Sequence, residues 1–276
     1  MRLSIILFFF LLGCVSAEST GIKVQKDIKF SESSTDKLQK LDVYSPANLK
    51  SNAAVLIHIH GGGWRIGDKK MTDDHGRYFA SQGIIFVTLN YRLSPKDKHP
   101  AHIEDCAAGV AWVMKNLETL KGDKSRIYLS GHSAGAQLAA LLGTNDKYLA
   151  KHNLKPELFA GVIPVDTASY DFLSDNAERV VAGMIKTAFG TDKEILKEAS
   201  PHQQLFKDKK YPPFYVFVTK ERDKAVTNSQ DFVNKINSVG AKASIIKIDG
   251  HSHRDMHMGM YKPGDPVNTE LMKILK

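Results

Sequence analysis

The stretch Arg126-Ile127-Tyr128-Leu129-Ser130-Gly131-His132-Ser133-Ala134-Gly135 decides how the rest of this chain reads. Arg126 to Leu129 is a short β-favouring run, and Ala134 to Leu142 is small and apolar, suited to a helix buried under a sheet. Between them stands Gly131-x-Ser133-x-Gly135, the pattern of a strand that turns at once into a helix with a serine at the bend. The two glycines remove side chains where the turn is tightest, which leaves the Ser133 hydroxyl exposed at its tip. The helix N-terminus behind it offers unpaired N–H groups and positive potential to a developing anion. Five residues of this kind recur by chance; their place between a strand and a helix is what marks Ser133 as a nucleophile.

Seventy residues upstream, His60-Gly61-Gly62-Gly63-Trp64 follows the dense apolar run Ala53 to Ile59. Three consecutive glycines make a poor structural element and a good place for backbone N–H groups to approach a substrate closely. An oxyanion hole needs such donors, so Gly62 and Gly63 N–H are assigned to it, joined by Ala134 N–H. A phosphate-binding loop is the alternative, and Lys69 is not spaced for one. Downstream, a serine needs a base and a carboxylate that orients it. Asp223 lies just past the strand-like run Phe214 to Val218, where such an acid belongs; Glu221 and Asp231 are its rivals. The base is one of His251, His253 and His257 after the run Ser244 to Ile248, and spacing alone does not choose between His251 and His253.

Around these residues the chain alternates strand and helix patterns. Gly21 to Phe30 and Leu38 to Tyr44 alternate like half-exposed strands. Gly83 to Leu89 and Phe159 to Val165 are solidly apolar, like strands buried on both faces. Helical patterns cover His102 to Leu120, Val226 to Val239 and Thr269 to Leu275. This order predicts an α/β protein with a mostly parallel central sheet and helices on both faces. Residues Thr167 to Tyr211 interrupt it as a helix-rich insert, read as a small cap over a pocket, because a long structureless crossover is uncommon. Its Met184, Ile185 and Phe189, with Trp64, are candidate walls of an apolar acyl pocket.

The N-terminus reads as an export leader: Arg2, the apolar run Ile5 to Leu12, then Val15-Ser16-Ala17 as a cleavage site. That assigns residues 1–17 to a signal peptide and 18–276 to a single domain. The apolar run falls well short of the ~20 residues of a membrane span. Leu11-Leu12-Gly13-Cys14 also reads as a lipobox, in which Cys14 would carry a lipid anchor. Either reading places the protein outside the cytoplasm, secreted, periplasmic or tethered to the envelope. Cys106 sits in an apolar helical pattern and reads as a buried, inert thiol. An apolar fraction of 42% with 25% charged residues excludes a disordered chain. The net charge of +8 is spread in short mixed clusters without interleaved aromatics, so no nucleic-acid partner is expected.

Taken together these residues resemble the α/β-hydrolase superfamily, in its esterase/lipase branch with an HGGGW oxyanion motif. Bacterial feruloyl-esterase-like and hormone-sensitive-lipase-like proteins are the nearest in pattern. His60 to Trp64 resembles the oxyanion motif, Asn90-Tyr91-Arg92-Leu93-Ser94-Pro95 the D-Y-R-L-A-P segment, and Gly131 to Gly135 the nucleophile elbow. His99-Pro100-Ala101 with Glu104-Asp105 resembles the F-P-A…E-D stretch. Position 90 is Asn where many relatives carry Asp, and position 136 is Ala where a further Gly is common. Gly250-His251-Ser252-His253 followed by Pro263-Gly264-Asp265-Pro266 is similar to a G-x-x-H…P-G-D-P tail in which the fourth residue is the base. The resemblance therefore implies His253, with the triad Ser133, Asp223, His253 on an α/β-hydrolase fold. It implies serine-dependent hydrolysis of a small-molecule or polysaccharide-linked carboxylic ester through an acyl-enzyme, with no metal and no cofactor. A formamidase, a peptidase or a catalytically inactive binding protein on the same fold are the rival readings.

Overall fold

β-Branched and large apolar residues in unbroken runs build the centre of the molecule. In the computed structural model, which describes residues 21–31, 36–50, 52–174 and 179–276, every residue of strand β3 (Ala53–Ile59) is buried. Its side chains alternate between two separate cores: Val55, Ile57 and Ile59 join one, Ala54 and Leu56 the other. A strand with both faces covered has no polar side to show, which is why its sequence reads as continuously apolar.

Chain order runs β1 (Ile22–Lys29), β2 (Lys40–Pro46), β3, α1 (Asp73–Ser81), β4 (Ile85–Leu89), α2 (Ala101–Lys115), α3 (Leu117–Leu120) and β5 (Gly122–His132). It continues α4 (Ala134–Thr144), α5 (Asp146–Ala150), β6 (Gly161–Val165), α6 (Arg179–Phe189), α7 (Lys193–Glu198) and β7 (Phe214–Thr219). The last elements are α8 (Asp223–Ser238), β8 (Ala243–Ile248), α9 (His253–Gly259) and α10 (Pro266–Leu275). The eight strands form one sheet in the order β1-β2-β4-β3-β5-β6-β7-β8. β1, β2 and β4 pair antiparallel in succession, and β4 through β8 pair in parallel. Helices α2, α4 and α8 pack on one face through Val110, Leu138 and Phe232. α1, α9 and α10 cover the other through Phe79, Met256 and Leu271.

This is the mostly parallel, doubly covered sheet that the strand and helix patterns predict. Three helices were invisible to periodicity. α1 is rich in polar residues, and its inward face is His75, Gly76, Phe79 and Ala80. A Cβ on Gly76 would stand 2.4 Å from the Tyr44 ring, so this helix approaches the sheet through a missing side chain. α5 and α9 are too short to display a repeat. The insert between β6 and β7 holds α6, α7 and a 3₁₀ turn, Pro201–Gln204. Cys106 is fully buried on α2, and burial pushes its thiol pKa well above the ordinary value. The leader over residues 1–17, with Cys14, lies outside the described residues, and no described helix is long and apolar enough to cross a membrane.

Candidate active site

Parallel strands deliver their carboxyl ends to one edge, and that edge collects every residue of interest. Ser133 connects β5 directly to α4 with φ 56° and ψ −120°. This left-handed conformation costs a non-glycine residue of order 1–3 kcal/mol and is held only where its surroundings leave no alternative. They leave none here. A Cβ on Gly131 would lie 2.2 Å from the Gly135 carbonyl oxygen, and one on Gly135 would lie 2.1 Å from that of Ile59. The Ser133 N–H donates to Val165 O at 3.0 Å, locking the turn to β6.

His253 opens α9, and its Nε2 lies 3.0 Å from Ser133 Oγ. Ser252 caps this helix reciprocally with Asp255, which fixes where His253 leaves the backbone. His132 Nε2 lies 2.9 Å from the His253 carbonyl, with the two rings 4.5 Å apart. Burial, then the neighbouring His253 and His257, drive the His132 pKa well below the ordinary value. A neutral His132 donates one N–H to that carbonyl and anchors His253 from below. His251 is held elsewhere: its Nε2 is 3.1 Å from Asp265 Oδ1 and its Nδ1 2.9 Å from Asp249 O. The P-G-D-P segment thus secures His251, and His253 alone of the two reaches the serine.

The carboxylate at His253 is Asp166, where the sequence pointed to Asp223. Asp166 Oδ2 stands 2.5 Å from His253 Nδ1, and Asp166 is fully buried. Strand register explains it. His132 pairs with Val165 across β5 and β6, so the next residue of each strand, Ser133 and Asp166, emerge side by side. Asp166 N–H donates to Phe217 O at 2.8 Å, and Thr219 N–H donates to Asp166 Oδ1 at 3.1 Å. Asp223 is carried past the end of β7 into the first turn of α8, where it is exposed. There an acidic side chain suits the positive end of the helix dipole. Arg222 turns inward in its place: Nη1 donates to Asp166 Oδ2 at 2.9 Å and sits 3.1 Å from His253 Nδ1. Sequence reading missed both Asp166 and Arg222. A signal for Asp166 was present, an acid immediately after the apolar run ending at Val165.

The His60 to Trp64 loop leaves β3 beside the serine. Gly62 has φ 116° and its Cβ would meet Ile66 O at 2.0 Å; Gly63 has φ 58°. Among the described residues, neither the Gly62 nor the Gly63 N–H is spent on a backbone carbonyl. Ala134 is the first residue of α4, whose N–H has no partner within its own helix. The loop is braced from behind. Trp64 Nε1 donates to Gln137 Oε1 at 3.0 Å, Tyr91 Oη donates to His60 O at 3.1 Å, and the His60 and Tyr91 rings stack at 4.5 Å. Asn90 accepts from Lys69 N–H at 2.5 Å and donates to Asp68 at 3.0 Å, fixing the loop's exit. Arg92 grips Asp105 with Nη2–Oδ1 at 2.8 Å and Nε–Oδ2 at 2.9 Å, a bidentate pair that ties the Tyr91-Arg92 segment to α2.

A cavity of about 570 Å³ opens over Ser133. Trp64 and Met184 line it, together with Phe172, Val181, Arg254 and Met258. Ile185 and Phe189, two other candidate wall residues, do not: both are buried in the core beneath. The helical repeat decides this. Val181 and Met184, three apart, share the cavity face of α6, while Ile185, Ala188 and Phe189 turn the next stripe inward. Phe189 packs edge-on against Trp64 at 5.0 Å and so supports the wall without being part of it.

A mostly parallel sheet with a strand-to-helix serine, a histidine beyond the last strand and a glycine loop beside them defines the α/β-hydrolase class, in its esterase/lipase branch. The BD-FAE family model matches residues 41–236, and the chain belongs to that family. Among curated proteins it is 28% identical over 236 residues to an isoprenylcysteine alpha-carbonyl methylesterase of Arabidopsis thaliana, covering 79% of this chain and 54% of that protein. It is 26% identical over 222 residues to an arylesterase of Saccharolobus solfataricus, covering 76% and 71%. The chain spans about half the length of the plant methylesterase it matches. Among solved structures, esterase B of Lactobacillus rhamnosis superposes with a TM-score of 0.76 at 22% identity, covering 92% of this chain and 84% of that one. A truncated carbohydrate esterase from gut microbiota gives 0.75 at 20% identity, covering 94% and 99%. At these identities the structures speak to the fold.

Proposed function

We propose that this chain hydrolyses carboxylic esters through a covalent acyl-enzyme on Ser133, with His253 as base and Asp166 as the acid that orients it. The observation that carries the reading is the continuous relay from Ser133 Oγ to His253 Nε2 at 3.0 Å and from His253 Nδ1 to Asp166 Oδ2 at 2.5 Å. The Asp166 carboxylate, which also accepts from Arg222, accepts a hydrogen bond from His253 Nδ1–H and holds the imidazole proton on that nitrogen, which leaves Nε2 free to accept from the serine. Ser133 Oγ then attacks the ester carbonyl as its proton passes to Nε2, and Asp166 stabilises the imidazolium. The carbonyl oxygen gathers negative charge against the N–H groups of Gly62, Gly63 and Ala134, each such donor being worth ~3 kcal/mol of barrier. Collapse breaks the ester bond, and His253 protonates the leaving alcohol. Water, deprotonated by the same nitrogen, attacks the acyl-enzyme and releases the acid.

The named esterases among its relatives support ester over amide cleavage. The test is hydrolysis of p-nitrophenyl acetate, butyrate and octanoate by wild type and Ser133→Ala, with fluorophosphonate labelling of both. Wild type turns over and labels, and the variant does neither. Equal hydrolysis by the variant overturns the assignment, and a folded wild type that neither labels nor hydrolyses supports an inactive binding protein.

A further inference from the structure

Resting on the reading of Ser133 and His253 as an esterase pair, we infer that the pocket selects esters whose alcohol side carries a negative charge, gripped by Arg254. The cavity over the serine has two unlike walls. Trp64, Phe172 and Met184, from the glycine loop and the insert, make one wall apolar. The other is built from α9, where Arg254 follows His253 and lines the same cavity. Among the described residues, no aspartate or glutamate lines the cavity. Two arginines do, and they differ in how they are engaged. Arg222 is committed to Asp166. The Arg254 guanidinium, by contrast, makes no hydrogen bond or ion pair with any described residue.

Reaction geometry assigns the two walls. The alcohol oxygen must lie within hydrogen-bond reach of His253 Nε2 to receive its proton, so the alcohol leaves on the α9 side, beside Arg254. The acyl group then extends along the apolar wall. A guanidinium fork matches carboxylate, phosphate and sulfate oxygens, two at a time. The net charge of +8 also draws an anionic ester toward the molecule from a distance. The substrate class is therefore an apolar acyl group esterified to an alcohol that bears an acidic group, whether a uronate-type carboxylate, a phosphate or a sulfate.

The experiment compares 3-(butyryloxy)benzoate with 3-(butyryloxy)benzamide, which share the acyl group and the phenolic ester bond and differ in charge on the alcohol side. Wild type is expected to favour the anion in kcat/KM by roughly tenfold at low salt, the ratio shrinking as salt screens it. Arg254→Gln brings the ratio to about one, and Arg254→Lys keeps part of it. A wild-type ratio near one, or a ratio that Arg254→Gln leaves unchanged, overturns the inference. Dissociation constants of both uncleaved esters with Ser133→Ala read the same preference without chemistry. Failure of wild type to hydrolyse either ester would sink the esterase reading, while those constants still decide the anion preference. Parallel series with a phosphate and a sulfate in place of the carboxylate separate the three sources.

Discussion

Asp166 Oδ2 lies 2.5 Å from His253 Nδ1, although 87 residues separate them and neither belongs to the loop after β7. The contact exists because β6 lies between β5 and β7 in the sheet. Its last residue, Val165, pairs with His132 on one side and Phe217 on the other. The residue that follows is thus held at the middle of the sheet's carboxyl edge, below the histidine, with both carboxylate oxygens in use.

Substituting the two acids separates them. Asp166→Asn is expected to lower kcat/KM on p-nitrophenyl butyrate by about 10³–10⁴, the loss typical when an acid no longer sets its histidine's tautomer. Asp223→Asn, at the exposed start of α8, is expected to stay within about threefold of wild type. The reverse ranking would show that Asp223 reaches His253 during turnover.

The glycine loop predicts an unequal pair. Gly62→Ala places a methyl group 2.0 Å from the fixed Ile66 carbonyl oxygen, so the loop must shift and its N–H groups lose their aim. A fall in kcat of about 10²–10³ is expected, with far less change in KM. At Gly63 the methyl would meet only Met184 Sδ, at 2.7 Å, which a flexible side chain can vacate. Gly63→Ala should therefore lose markedly less, and steady-state kinetics on one ester compares the two.

Neighbours on α6 should behave oppositely. Met184→Ala enlarges the cavity wall and is expected to shift the acyl-chain optimum toward longer chains with little effect on melting temperature. Ile185→Ala empties a buried site and should cost ~2–4 kcal/mol, read as a lower Tm and denaturation midpoint with acyl preference retained. Matching effects on preference would contradict the two-faced reading of this helix.

Acid should destabilise the fold before most carboxylates titrate. Burial, above all, lowers His75 and His102 to about 3, and His60, His99 and His257 to about 4. Unfolded, these imidazoles take up protons near 6.5, so below that pH the unfolded chain binds more protons than the folded one. The stability they contribute is complete above about 6.5 and declines as pH falls toward 4, by up to ~1.4 kcal/mol per unit for each. His251 runs the other way. Partial burial opposes protonation there, but Asp249 O and Asp265 outweigh it and raise the pKa, so its smaller contribution fades as pH rises. Denaturant midpoints from pH 8 to pH 4 should fall steeply below 6.5, and His257→Phe should flatten the slope. A flat profile over that range would show these histidines to be accessible to protons in the folded protein.

What could be read along the chain was whatever depends on neighbours in sequence. Both faces of β3 and β6 are covered, and that burial is written as unbroken apolar runs; the Ser133 elbow needs glycines two residues to either side, and these are visible as spacing. The glycine loop after β3 is legible for the same local reason. Three other features were legible only in space. Which acid serves His253 depends on the register between β5, β6 and β7, and a one-element change of position there exchanges Asp223 for Asp166. Which residues of α6 touch the cavity depends on how the helix is rolled against Trp64, and periodicity alone cannot tell an inward stripe from a substrate-facing one. That Arg222 is committed to Asp166, while Arg254 pairs with none of the described residues, depends on whether a carboxylate arrives from a distant strand. The class of fold, the Gly131-x-Ser133-x-Gly135 turn and the glycine run beside it were readable in the chain, since local backbone conformation dictates those. The carboxylate that stands beside His253 and the residues that wall the cavity emerge in space alone, because each is set by strands and helices that meet across the sheet.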